Sequence, residues 1–186
     1  MSRISEMPDT NFNGIEQPYV PPKQLNISEK LKLHRKWSET IDPVTYEVVR
    51  HNLWQINEEH GATIQRLSGS PVAMYALDLN PSILTEDAEF VYFGPYMQYM
   101  SGVTDTQVKW TLEYRSENPG ISEGDMFIAN DPWVGAAHQQ DVMLLCPVFW
   151  ENELFCWVTN CLHQYDIGGI TPGSFVHRLS RSTKKD

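Results

Sequence analysis

Two apolar stretches separated by three polar residues constrain this chain more than any other feature. Val142–Trp150 and Leu154–Leu162 each read as a strand, and Glu151-Asn152-Glu153 between them reads as a hairpin connection. With Asn152 at the centre of the turn, Trp150 pairs with Leu154, Pro147 with Trp157 and Asp141 with His163. Trp150 is expected in the core. Directly opposed residues on one face have Cβ atoms roughly 4.5–5.5 Å apart. Side chains at that separation converge on one ion through bonds of about 2.0–2.2 Å.

His138, three residues before Asp141, is the third candidate ligand. On a regular strand residues three apart face opposite sides. Gly135-Ala136-Ala137 before it predicts an irregular loop that turns His138 inward. Two imidazoles and a carboxylate suit manganese, iron or zinc better than calcium, and leave positions open for water or substrate. Spacing alone does not separate such a centre from two structural histidines. Asp166, just after His163, reads either as a base or imidazole-orienting carboxylate, or as a turn former before Ile167-Gly168-Gly169. Cys161 reads as inert packing.

The rest of the chain bounds the fold. At 186 residues it suits one domain, burying roughly two-thirds of its unfolded surface. A net charge of −10 without a Lys/Arg stripe excludes a nucleic-acid partner. The longest apolar run, Val142–Trp150, is too short to span a membrane, and Met1–Thr10 lacks a secretory pattern. Cys146, Cys156 and Cys161 form no disulfide framework, so reduced thiols in a cytoplasmic protein are expected.

Residues 1–36, with Pro8, Pro18, Pro21 and Pro22, read as an extended arm that orders against a partner. Asp42-Pro43 opens the clearest helix, with Val44, Val48, Val49, Leu53 and Ile56 as one apolar stripe. Gly61 is expected to break or kink it, with Ala62–Leu67 continuing. Val72–Leu77, Glu89–Phe93 and Met126–Ala129 read as strands, and Gly102–Tyr114 as a helix. The fold class expected is α+β, a leading helix with a mostly antiparallel sheet. Gly168-Gly169-x-x-Pro172-Gly173 is not followed by Lys-Ser/Thr and is no phosphate loop.

Four blocks in this order resemble the hydantoinase B/oxoprolinase family. They are Asp42–Arg50 with Glu58–Arg66, Gly124–Pro132, His138–Asp141 running into Pro147–Phe149, and His163–Gly169 with Pro172–Ser174. The resemblance covers about residues 41–175, within a metal-binding region expected over 37–175, and leaves 176–186 as a polar tail. It implies His138, Asp141 and His163 as metal ligands, with manganese as in acetone carboxylase and zinc or iron as alternatives. Phe93–Met100 resembles the acetone and acetophenone carboxylase branch more than the hydantoinase branch.

The resemblance further implies a hetero-oligomer. A separate actin-like, hydantoinase A-type subunit would use ATP, with a small third subunit in some members. The function implied is the metal-binding part of an ATP-dependent ketone carboxylase, acting on carbon dioxide or an activated carboxyl. Its alternatives are a hydantoin or 5-oxoproline hydrolase subunit and a non-catalytic remnant that docks on a partner. Family subunits are several times longer, and Val176–Arg181 departs from their continuation, as expected of a truncated or split product needing partners to act.

Overall fold

The computed structural model describes residues 18–38 and 40–168. Its elements in chain order are α1 (Pro43–Leu67), α2 (Pro71–Ala76), β1 (Leu79–Thr85), β2 (Phe90–Phe93), α3 (Gln98–Arg115), β3 (Phe127–Ala129), a 3-10 turn (Pro132–Val134), β4 (Asp141–Trp150) and β5 (Glu153–His163). The five strands form one antiparallel sheet in the order β2-β1-β5-β4-β3, an α+β architecture.

The β4–β5 hairpin forms with a tighter turn than expected. Glu151 and Asn152 both take positive φ (50° and 63°), so the connection is a two-residue turn. Trp150 therefore pairs with Glu153 and Phe149 with Leu154, one step away from the expected Trp150–Leu154 pair. A bulge at Phe155 then restores the register, because Val148 faces Cys156. From there outward Pro147 faces Trp157 and Asp141 faces His163, as the spacing predicts.

One face of the sheet carries the core. Met143 and Leu145 of β4, Leu154, Trp157 and Cys161 of β5, and Leu84 of β1 pack against Met100, Val108 and Leu112 of α3. Leu79 and Ile83, on the opposite face of β1, are buried outside this cluster, and α1 packs on β1 and β2. Residues 18–38 lie extended along the body rather than away from it. Leu31 enters the core, and Leu33 bridges Leu154 in parallel, with Leu154 N–H donating to Lys32 C=O and His34 N–H to Leu154 C=O, both at 2.8 Å.

Asp42 caps α1 as expected, its Oδ1 accepting from the Val44 and Thr45 N–H groups at 3.0 and 3.2 Å. The helix does not break at Gly61. It runs through it, and Gly61 is buried where an added Cβ would collide with the Tyr96 ring. Glycine serves close approach there, not termination. The apolar stripe is not the buried side of α1 either, since Asn57 and Gly61 face the body while Val44 is 72% exposed. Val72–Leu77 is not a strand. Ser70-Pro71 is a helix start, with the Ser70 hydroxyl accepting from Ala73 N–H, and Leu77 closes α2 in the left-handed region. The strand lies next in the chain, in β1, whose Asn80-Pro81-Ser82 breaks every compositional rule for a central strand.

Among the described residues no helix is long and apolar enough to cross a membrane. Trp150 is 62% exposed, at the hairpin tip, whereas Trp157 is fully buried. Trp157→Ala is therefore expected to cost about 3–5 kcal/mol of stability, while Trp150→Ala changes it by under about 0.5 kcal/mol. Urea denaturation of both variants, followed by circular dichroism, checks the contrast.

Candidate metal centre

The end of the core face carries the polar cluster. Because side chains alternate along a strand, Asp141 shares its face with Met143 and Leu145, and His163 shares its face with Cys161 and Trp157. The row extends one strand further. Asp78 lies one step beyond the Leu79–Leu162 pair, and its C=O accepts the His163 N–H at 3.0 Å. Asp78, His163 and Asp141 thus stand side by side across three adjacent strands.

His138 joins them through a tight turn. The Asp141 N–H donates to His138 C=O at 3.1 Å, which folds the chain back and undoes the opposite-face geometry of a straight strand. The preceding loop is held at several points. Asp131 accepts the Trp133 N–H on its side chain, Asn130 donates to Gln139 C=O at 2.9 Å, and Gly135 takes φ +104°. A Cβ at Gly135 would sit 2.8 Å from Val103 C=O, so the loop is seated against α3 as only glycine allows.

One donor atom each from His138, Asp141 and His163 lies within 4.8 Å of the others. The imidazoles meet edge to face, with centroids 5.0 Å apart, and His138 Nδ1 stands 3.7 Å from Asp141 Oδ2, too far for a hydrogen bond. Asp141 is 1% exposed, yet neither carboxylate oxygen has a hydrogen-bond partner among the described residues. The same holds for Nδ1 of His138 and His163 and for Oδ1 of Asp78. Buried polar atoms are normally satisfied, and an orphaned carboxylate is among the costliest exceptions. A divalent cation satisfies this donor set at once, so these residues fit one.

The electrostatics agree. Burial raises the Asp141 carboxyl above the ordinary carboxylate range, with Asp78 adding to the rise and the two histidines opposing it. Burial together with Asp141 and Asp78 also raises the Tyr99 hydroxyl and the Cys161 thiol. Tyr99 therefore stays a neutral phenol beside the cluster, and Cys161 a protonated thiol rather than a nucleophile. Tyr99 is placed by the turn before α3. Gly94 N–H donates to Pro81 C=O at 2.8 Å, Met97 N–H to Leu79 C=O at 3.1 Å, and Asn80 Nδ2 to Met97 C=O at 3.2 Å.

Asp166 is not among the converging atoms. It is exposed, and its Oδ1 accepts the Gly168 N–H at 2.8 Å, a turn-forming contact. Asp78 and Tyr99, outside the three converging donors, are neighbours of the cluster that the sequence reading missed. Asp78 belongs to no recognisable spacing, and its position follows only from β1 being a strand.

A family model described as hydantoinase B/oxoprolinase matches residues 42–183. An uncharacterised protein of Methanocaldococcus jannaschii is 32% identical over 135 residues, covering 72% of this chain and 24% of that protein. 5-Oxoprolinase 1 of Arabidopsis thaliana is 32% identical over 140 residues, covering 75% of this chain and 11% of that protein. The nucleotide-free structure of acetone carboxylase, described in connection with ATP-dependent acetone carboxylation, superposes with a TM-score of 0.68 at 25% identity. That superposition covers 72% of this chain and 18% of the other. The chain thus spans about a quarter or less of the length of each of these relatives.

Removing a donor tests the centre directly. Asp141→Ala, and His138→Ala with His163→Ala, should abolish binding of manganese or zinc in calorimetry while far-ultraviolet circular dichroism stays that of the parent. Gly135→Ala should weaken binding without removing any donor, because it unseats the loop that carries His138. Parent-like affinity in Asp141→Ala would remove the assignment.

Proposed function

The chain belongs to the hydantoinase B/oxoprolinase family, and on that premise we propose that it is the metal-binding segment of an ATP-dependent ketone carboxylase of the acetone or acetophenone type. The observation that carries this reading is the row of Asp78, His163 and Asp141 with His138 folded over it, all with buried donor atoms lacking partners. The fold likeness to acetone carboxylase is consistent with this reading, and the resemblance of Phe93–Met100 supports the choice of branch.

In this reading His138, Asp141 and His163 hold a divalent ion, manganese foremost and zinc or iron otherwise. Asp78 supplies a second carboxylate that brings the charge of the set close to neutral. When bound, the ion supplies Lewis acidity toward a carbonyl or carboxyl oxygen. The chain's own residues orient and shield. His138, whose side chain is 44% exposed against 1% for Asp141, leaves the site open on its side. The neutral Tyr99 phenol, beside the cluster, serves in this reading as a hydrogen-bond donor to an oxygen of the substrate. Asp166, whose carboxylate holds the turn after His163, orients that segment rather than touching the reacting atoms. ATP is used on a separate actin-like subunit, and a small third subunit joins the assembly in some members.

A second reading, a hydantoin- or 5-oxoproline-type hydrolase subunit, is favoured by the 32% identity to 5-oxoprolinase 1. The two differ in the fate of carbon. In the complex with its ATPase partner, supplied with ATP and ¹³C-bicarbonate, the carboxylase reading predicts the label in a new carboxylate on acetone or acetophenone. The hydrolase reading predicts opening of a cyclic amide with no label retained in the product. Mass spectrometry of the products decides between them, and Asp141→Ala should abolish whichever reaction is found.

A further inference from the structure

The arm over residues 18–38 is fastened to the body at two places, by different means. Its far end is held by charge. Lys36 Nζ stands 3.5 Å from Glu153 Oε2 at the hairpin tip, and Arg35 Nε 3.8 Å from Glu86 Oε1 in the turn after β1. Both cations are mostly exposed, and such pairs hold weakly. Its near end is held by buried and backbone groups. Glu113 of α3 is 7% exposed and accepts twice from the arm, from the Tyr19 hydroxyl at 2.7 Å and from the Asn26 N–H at 3.1 Å. The Tyr19 ring also meets Tyr114 edge to face, with centroids 6.1 Å apart. Releasing either donor takes a partner from a buried acceptor, so the carboxylate fixes this part of the arm on α3.

Tyr19, so placed, reaches the loop that carries His138. Its N–H donates to Trp133 C=O at 2.7 Å. Trp133 sits in the 3-10 turn between Asp131, which accepts its N–H, and Gly135, which is packed against Val103 and Thr106 of α3. Of the three converging donors, Asp141 and His163 belong to paired strands, while His138 lies on this loop. Strand pairing therefore places two donors, and the third depends on what holds the loop. Gly135 fixes one point of it and Tyr19 another.

We propose that Tyr19 and Glu113 are positioning residues of the metal centre. The arm is a strap that, through Tyr19 N–H and Trp133 C=O, fixes the loop over residues 131–138 so that His138 converges with Asp141 and His163. Neither residue holds the ion; they act on a donor through the backbone, as outer partners of a metal site act on its ligands. The family model matches from residue 42, so the strap contributes to the site from outside the matched segment. The inference rests on the reading of the cluster as a metal centre and is independent of the reaction served there.

Three measurements on the full chain test it: manganese affinity by calorimetry, the visible absorption of the cobalt-loaded form, and hydrogen exchange across residues 131–138 without metal. Tyr19→Ala should weaken manganese binding by about 10-fold or more. It should also shift the cobalt spectrum toward that of His138→Ala and speed exchange through the loop. Tyr19→Phe, which keeps the ring and the N–H, and Glu113→Gln, which keeps one acceptor oxygen, should change all three in the same direction by less. These two carry the test if Tyr19→Ala does not fold. Arg35→Ala with Lys36→Ala, which loosens only the far end, should match the unsubstituted chain in every readout. Unchanged affinity and cobalt spectrum in the folded variants at Tyr19 and Glu113 overturn the proposal. So do equal losses in the far-end variant, which would reduce the arm to general stability. An unsubstituted chain that binds neither manganese nor cobalt instead overturns the metal-centre reading, and this inference with it.

Discussion

The pairing of Asp141 with His163 across β4 and β5 is the contact on which the candidate site depends. A slip of one residue would send one of the two side chains to the opposite face and disperse the donors. The register is set by two compensating local features, a two-residue turn at Glu151-Asn152 and an extra residue at Phe155. Neither alone yields it. The turn pulls the pairing one step out of phase, and the bulge returns it.

Around that ladder the site is assembled from segments that are seated by close backbone approach. Gly94 lies where a Cβ would stand 2.7 Å from Pro81 Cδ, which brings the turn before α3 down onto the start of β1. Gly135 does the same for the His138 loop against α3. These approaches seat the start of α3 and the His138 loop beside a row of carboxylate, imidazole and carboxylate that the sheet itself provides. The charge problem of that row is not solved by the protein alone. Burial raises the Asp141 carboxyl, with the neighbouring Asp78 adding to the rise, and the buried donors lack protein partners among the described residues. Unpartnered buried donors of this kind are what the proposed cation would satisfy.

The same hairpin is apolar on both faces of β4. Its apolar content satisfies a core on one face and leaves an equally apolar face on the other, while the apolar side of α1 points away from the body.

By itself the sequence determined the hairpin, the outer pairing of Asp141 with His163, the capped start of α1 at Asp42-Pro43 and the antiparallel α+β class, since apolar runs, turn residues and caps are local signals. It also singled out His138, Asp141 and His163, which the structure brings together. It failed where a local rule met a tertiary one. Ser70-Pro71 began a helix inside a β-rich composition, and Gly61 stayed helical because Tyr96 needed its missing Cβ. Asn80-Pro81-Ser82 became a strand because β5 pairs with all three residues and β2 joins at Ser82. Only that last outcome places Asp78 beside His163. Contacts between residues 85 apart in the chain have no spacing to read, so the fourth member of the row was decided by tertiary structure alone.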